Sequence, residues 1–420
     1  MLDLTAEQHS IPAADTDPAL SGAEPWQHSE HWWPRLTAAT AGRAAPLGII
    51  DVAALRHNAL DMLVRSGGLP IRVASKSVRV RGVLDAVLQL PGYRGILAFT
   101  LAEALWLARD HDDIVVAYPT VDRDSIARLV RDEEACRRIT LMVDDHAHLD
   151  IIDAVVAPSQ RSRVRVAIDV DASLRTRSLG HIGVRRSPWF SPEQTAAFAR
   201  SVVERPGFRL VGVQMYEAQI AGQPDNVGAD VGVIRAVQAL SRAELSERRA
   251  RIVAAITAFT PLEFVTGGGT GSLEYTGADP VMTEVTAGSG LLAGHLFDGY
   301  RSFSLAPAAA FAFDVVRKPA ADIATVLGGG WIASGPSVAS RQPLPVWPEG
   351  LRMLPREASG EVQTPLRGPA ATNLSIGDRV WFRHAKSGEP AEHIDQYCLV
   401  QGNEVVGELP TYRGEGRTFL

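Results

Sequence analysis

Ile71-Arg72-Val73-Ala74-Ser75-Lys76-Ser77, residues 71–77, decides how this chain is read. Four residues of strand character run into a lysine flanked by two serines. An amine carried at the end of a buried strand is placed where desolvation favours its neutral, nucleophilic form. That is the state a Schiff-base lysine needs. Most lysines at strand ends only mark where the chain meets water, so the surrounding pattern has to decide.

That pattern is an alternation. Working outward from IRVAS, apolar runs recur at 95–100 (GILAFT), 113–118 (DIVVAY), 139–145 (ITLMVDD), 163–171 (RVRVAIDVD), 210–217 (LVGVQMYE), 264–270 (FVTGGGT) and 281–288 (VMTEVTAG). Helical periodicity fills most of the gaps between them. Continuous apolar runs are expected of parallel strands covered on both faces. Eight strands with intervening helices predict an α/β fold of the (β/α)8 TIM-barrel type. A doubly wound open sheet is the rival. The lack of a GxGxxG turn after the first strand counts against it.

The flanks differ from this core. Gly48-Ile49-Ile50 reads as a short strand and Asp51 as the cap of the helix after it. Beyond residue 300, short alternating segments such as 311–316, 325–327, 379–382 and 397–400 are separated by Gly and Pro turns, which predicts a β domain. The Pro- and Gly-rich stretch 341–371 reads as a surface excursion. The expected division is an N-terminal arm (1–44), a barrel (45–300) and a C-terminal β domain (301–420). Residues 1–25 read as a mobile polar arm. Trp26, Trp32 and Trp33 then mark either a docking surface or ordinary packing of an N-terminal helix.

Composition narrows the classes. The chain has 420 residues, 46% of them hydrophobic, a net charge of −6 and no basic run, so nucleic acid is not an expected partner. No 18-residue apolar run is present to span a membrane. Cys136 and Cys398 form no disulfide framework. With no recognisable signal peptide, the expectation is a cytoplasmic protein with a small-molecule partner.

In a barrel, the chemistry sits at the C-terminal strand ends. Those ends carry Lys76; Asp169 and Asp171, leading to Arg175, His181 and Arg185; Tyr216, Glu217 and Gln219; Gly267-Gly268-Gly269-Thr270-Gly271; and Gly288-Ser289-Gly290. Loops after the seventh and eighth strands commonly bind phosphate, and glycine lets backbone N–H groups approach a dianion. Tight turns alone would also explain these glycines. A phosphate site facing a strand-one lysine implies a phosphorylated aldehyde, and pyridoxal 5′-phosphate fits.

Together these segments resemble the fold-type III pyridoxal-phosphate enzymes, the alanine-racemase-like barrels with a C-terminal β domain. Within that group they are most similar to D-threonine aldolase and D-serine dehydratase, including actinobacterial amino acid deaminase/aldolase proteins. The resemblance is carried by RVASKS (72–77), DVDASLR with GHIGVR (169–185), VQMYEAQ (213–219), VTGGGTGS (265–272), TEVTAGSG (283–290) and GDRVWFRHAK (377–386). It implies that Lys76 forms the Schiff base and moves protons at Cα, and that Tyr216 lies beside the cofactor ring. It implies phosphate contacts from Gly268, Gly269, Thr270, Gly288 and Ser289, and places His181 and Arg185 toward the cofactor face; an ion pair is the alternative for Arg185. It further implies a lyase for a D-β-hydroxy amino acid, acting by aldol cleavage or dehydration, and a homodimer.

One segment departs from the group. The dehydratases hold a divalent metal through a His-x-Cys pair in the β domain, where this chain reads His384-Ala385-Lys386. An ammonium cannot ligate a metal. His384, with His393 and Asp395, keeps a metal site open. Alternatively, Lys386 offers positive charge in the metal's place, and His384 and Lys386 position or protonate the substrate hydroxyl. On pattern alone these two side chains read as a solvated strand edge. A racemase or epimerase on the same fold, a non-catalytic carrier of the cofactor, and a barrel without cofactor are the alternatives.

Overall fold

The computed structural model describes residues 2–5 and 24–420, so most of the expected mobile arm lies outside the described residues. The chain divides into two compact units. One is built from the described residues up to Asp61, Ser77–Leu90 and Ser289–Thr418. The other is built from Met62–Lys76, Pro91–Gly288 and Phe419–Leu420.

In chain order, β1 is Leu47–Asp51, followed by β2 (Ile71–Ala74), β3 (Tyr93–Ala98), β4 (Ile114–Val116), β5 (Ile139–Val143) and β6 (Val164–Asp169). A hairpin follows, β7 (Leu174–Thr176) and β8 (Gly180–Ile182), then β9 (Phe208–Met215), β10 (Phe264–Gly267) and β11 (Val285–Ala287). The second unit is an eight-stranded parallel sheet in the order β10-β9-β6-β5-β4-β3-β2-β11. Its two ends approach each other: Thr283 N–H donates to Val265 O at 3.1 Å, and the Thr266 and Thr286 hydroxyls lie 3.0 Å apart. The sheet is thus a nearly closed barrel, and its eight strands match the eight apolar runs.

Inside it, Val115, Met142, Ala167, Val211 and Phe264 form a buried cluster. Arg72 is also buried. Its guanidinium bonds both oxygens of Glu284 (2.6 and 2.9 Å) and both oxygens of Asp113 (2.9 and 3.1 Å) and lies 5.4 Å from the Phe264 ring centre. Two carboxylates supply the partners that a buried guanidinium requires and raise its pKa against the opposing effect of desolvation.

The first unit holds a nine-stranded sheet. Its later strands are β12 (Ala309–Ala320), β13 (Ile323–Leu327), β14 (Leu344–Trp347), β15 (Arg352–Met353), β16 (Gln363–Arg367), β17 (Arg379–Arg383), β18 (Gln396–Gln401) and β19 (Glu404–Pro410). Pairing is antiparallel except between β1 and β18. Phe311, Phe313, Val326, Leu366, Val380 and Phe382 pack its core.

Two expectations change here, and one open alternative is decided. Residues 47–51, read with the barrel segment, pair with β12 and β18 in this sheet. A fully buried apolar strand looks the same in sequence whichever sheet receives it. The stretch 341–371 is not a plain excursion, because β14, β15 and β16 lie within it. The tryptophans pack locally: Trp32 and Trp33 are buried, and Trp33 lies 6.2 Å from Trp381, whose indole donates to Thr37 Oγ1 at 2.9 Å. Among the described residues, no helix is long and apolar enough to cross a membrane.

Candidate active site

The C-terminal ends of the barrel strands gather Lys76, Tyr118, Asp169, Arg186, Tyr216 and the Gly268 turn. Strand β2 stops at Ala74, and Lys76 follows on a short 3-10 turn, Ser75–Ser77. Its side chain is therefore exposed above the last packed layer, where the sequence pattern had it desolvated. Its amine donates to Tyr118 Oη at 3.5 Å. The chain has three lysines, Lys76, Lys318 and Lys386. Only Lys76 belongs to the barrel unit.

Arg186 spans two tyrosines. Its guanidinium lies 5.3 Å from the Tyr118 ring centre and 4.9 Å from that of Tyr216, within cation–π range. Burial raises the pKa of the half-buried Tyr216 while Arg186 opposes that rise, so the phenol stays protonated at neutral pH. Asp169 ends β6 and is buried. Burial pushes its carboxyl up to about 7, against a 3.3 Å hydrogen bond from Gln214 and the charge of Arg186.

The turn after β10 is organised from beneath. Glu217 and Arg249 are both fully buried and pair at 2.5 Å. Arg249 also donates to Met215 O at 2.9 Å. Glu217 accepts from Gly268 N–H (3.2 Å), Ser272 Oγ (3.0 Å) and Thr276 Oγ1. Gly269 N–H donates to Ser272 Oγ at 3.2 Å, and Thr270 O accepts from Arg65 at 2.6 Å. The Gly268 and Gly269 amides, expected to hold phosphate, thus donate to Glu217 beneath the turn and to Ser272 within it.

The glycines also have steric reasons. Gly268 has φ +83, and a Cβ there would lie 3.0 Å from Thr276 Oγ1. A Cβ on Gly288 would lie 2.5 Å from Ala74 O. A Cβ on Gly269 would stand 3.2 Å from Ala221 Cβ, with Tyr216 Cε2 in ordinary contact at 3.6 Å.

His181 lies on the β7–β8 hairpin, with Nδ1 3.4 Å from Ser173 Oγ and Nε2 3.3 Å from Val184 O. Arg185 is exposed, and the arginine over the two tyrosines is Arg186. The motif located the loop; its geometry chose the neighbouring side chain.

Ser289, His384 and Lys386 lie in the other unit. Ser387 Oγ donates its one proton to Ser289 O (2.7 Å) and accepts Gly294 N–H (3.3 Å). His384 Nε2, 3.1 Å from the same oxygen, must therefore be the donor, which makes the ring the Nε2–H tautomer. His384 is buried rather than at a solvated edge, and desolvation with the charge of Arg383 pulls its pKa down to about 3. Lys386 donates to Ser334 O at 2.8 Å. His393 stacks on Trp331 with ring centres 4.9 Å apart, and Asp395 pairs with Arg413 at 3.3 Å. Among the described residues, no three His, Cys, Asp or Glu side chains come together as a metal ligand set.

The model of the alanine racemase N-terminal domain matches residues 50–263. The chain belongs to that family. Like this chain, solved structures of fold-type III pyridoxal-phosphate enzymes pair such a barrel with a β domain. D-threonine aldolase from Filomicrobium marinum is similar with a TM-score of 0.73 at 18% identity, over 88% of this chain and 95% of that one. D-threo-3-hydroxyaspartate dehydratase from Delftia sp. HT23 is similar at 0.68 and 19%, over 88% and 98%. Alanine racemase from Clostridium difficile 630 is similar at 0.56 and 16%, over 87% and 98%. No curated protein matches by sequence. Pyridoxal phosphate is the cofactor expected of this family. The barrel mouth fits it in having one lysine amine and, on Gly269, a backbone bare enough to approach closely.

Tyr118, Arg186 and Arg249 were not singled out from the sequence, although Tyr118 closes the apolar run 113–118. Tyr118 sits two residues beyond a three-residue strand, and Arg249 lies deep in the helix Val231–Thr257. A buried arginine in a long polar helix gives no local signal until its partner is known.

Proposed function

We propose that this protein is a pyridoxal-phosphate lyase for a D-β-hydroxy amino acid. The observation carrying this reading is Lys76, the one lysine of the barrel unit, placed at the C-terminal strand ends with its amine 3.5 Å from Tyr118 Oη. When bound, the cofactor supplies an aldehyde for the substrate amine and an electron sink for the bond broken at Cα. Lys76 holds it through its amine and carries the proton taken from or returned to Cα. Tyr118 orients that amine and passes protons between it and solvent. Tyr216, as the protonated phenol, lines the ring beside Gly269. Arg186, lying over both phenols, keeps them in place. The β-hydroxy substrate class is taken from the aldolase and dehydratase likeness. Proposed with it are a homodimer and a cytoplasmic location.

A second reading, racemisation, requires an acid–base group on the face of Cα opposite Lys76, which Tyr118, bonded to the Lys76 amine itself, does not supply. Incubating the holoenzyme in deuterated water with both enantiomers of serine, threonine and 3-hydroxyaspartate separates the two. A lyase converts the D-substrate to glycine and an aldehyde, or to a 2-oxo acid and ammonia. Recovery of α-deuterated amino acid in both configurations overturns the lyase reading.

A further inference from the structure

A cavity of about 530 Å³ opens beside the tyrosine pair, lined by Asp171, Arg175, His181, Arg185, Arg186 and Ser187. Three guanidinium groups face one carboxylate there, in a chain whose net charge is −6. Asp171 is engaged by Arg175. Arg185 and Arg186 are both solvent-exposed, Arg186 lying over the two aromatic rings, and neither forms an ion pair within the described residues. The loop presenting them is braced. Arg248 donates to Asp171 O at 2.5 Å and to Ser173 O at 2.9 Å, and Arg175 and Arg248 lie 4.3 and 3.9 Å from the Phe190 ring centre. A guanidinium without a carboxylate, set in a braced concave wall, is poised to accept a planar anion through two parallel N–H donors.

The geometry points to an acidic side chain on the substrate: Arg185 and Arg186 hold a second anionic group, a carboxylate or a phosphate, besides the α-carboxylate. This rests on the lyase reading and narrows its substrate to an anionic amino acid with a β-oxygen substituent, either a β-hydroxyl beside a carboxylate or a β-phosphate ester that leaves as inorganic phosphate. Tyr118 links the two regions, since it touches the Lys76 amine and lies under Arg186. A substrate extending from Cα toward the cavity therefore passes from the amine to the arginines.

The test compares D-threo-3-hydroxyaspartate and O-phospho-D-serine with D-threonine, in wild-type holoenzyme and in Arg185→Gln. The expected result is at least a tenfold preference in kcat/KM for one acidic substrate, and a fall of about tenfold or more in that preference in the variant. Which acid is preferred tells carboxylate from phosphate. An equal loss for all substrates assigns Arg185 to the α-carboxylate and overturns the proposal. So does no change for any of them, which makes the arginine a solvated surface group. Calorimetric binding of D-aspartate and D-alanine to the same holoproteins reads the anion site without turnover. Selective D-aspartate binding that Arg185→Gln abolishes, with no lyase products, keeps the anion site and fails only the lyase reading.

Discussion

Replacing Glu217 with alanine tests whether the turn after β10 is held from below. Glu217 and Arg249 are both inaccessible to solvent, and their oxygen and nitrogen lie 2.5 Å apart. Removing the carboxylate strands a guanidinium whose remaining partners are Met215 O at 2.9 Å and Asp279 at 3.5 Å. Breaking a buried pair from one side costs about 3–5 kcal/mol when the remaining charge is left uncompensated, and the Asp279 carboxylate at 3.5 Å sets the expectation at the lower end of that range. The same change removes the acceptor for Gly268 N–H, Ser272 Oγ and Thr276 Oγ1. Two results are expected together: a urea midpoint lowered by a free energy of that size, and faster amide exchange in the peptide covering 265–277. Glu217→Gln keeps the shape and one acceptor and should fall between the two. A loss under about 1 kcal/mol with unchanged exchange in the turn would refute the reasoning.

Two further predictions concern neighbouring features. Gly268→Ala places a side chain at φ +83 against Thr276 and should cost about 1–2 kcal/mol, while Gly269→Ala, with φ −164, should cost less; equal losses by urea titration would remove the left-handed turn as the cause. His384 is held near 3 against an ordinary value of about 6.5, so the unfolded chain binds the extra proton first as pH falls. Stability contributed by the neutral ring is complete above pH 6.5 and is lost progressively from there toward pH 3. The loss is on the order of several kcal/mol, and His384→Gln should flatten this part of the curve. Identical acid limbs in urea titrations at pH 7, 5 and 4 would contradict the assignment.

The barrel was legible because parallel strands buried on both faces must be largely apolar, as ITLMV and the Val166-Ala167-Ile168 centre of β6 are. The mouth was legible to the extent that strand ends locate it: Lys76, Tyr216 and Asp169 sit where the strands stop. Four things were not. Leu47–Asp51 carries the same burial pattern as a barrel strand, and only pairing with Ala309–Ala312 and Tyr397–Val400 assigns it to the other sheet. The choice of Arg186 over Arg185 depends on the path of a loop without periodicity. The glycines after β10 met the description of a phosphate turn, yet Gly268 and Gly269 donate to Glu217 and Ser272. Glycine spacing reports close backbone approach, not what is approached. Lys76 was expected in an apolar recess and stands in the open mouth because the strand ends two residues before it.

The central claim is that one amine at that mouth carries the cofactor. Borohydride reduction of the cofactor-loaded protein, followed by peptide mass mapping, tests it with three possible acceptors, Lys76, Lys318 and Lys386. The account predicts a pyridoxyl mass on the Lys76 peptide and none in Lys76→Ala. Label on Lys318 or Lys386, or on no lysine, would contradict it.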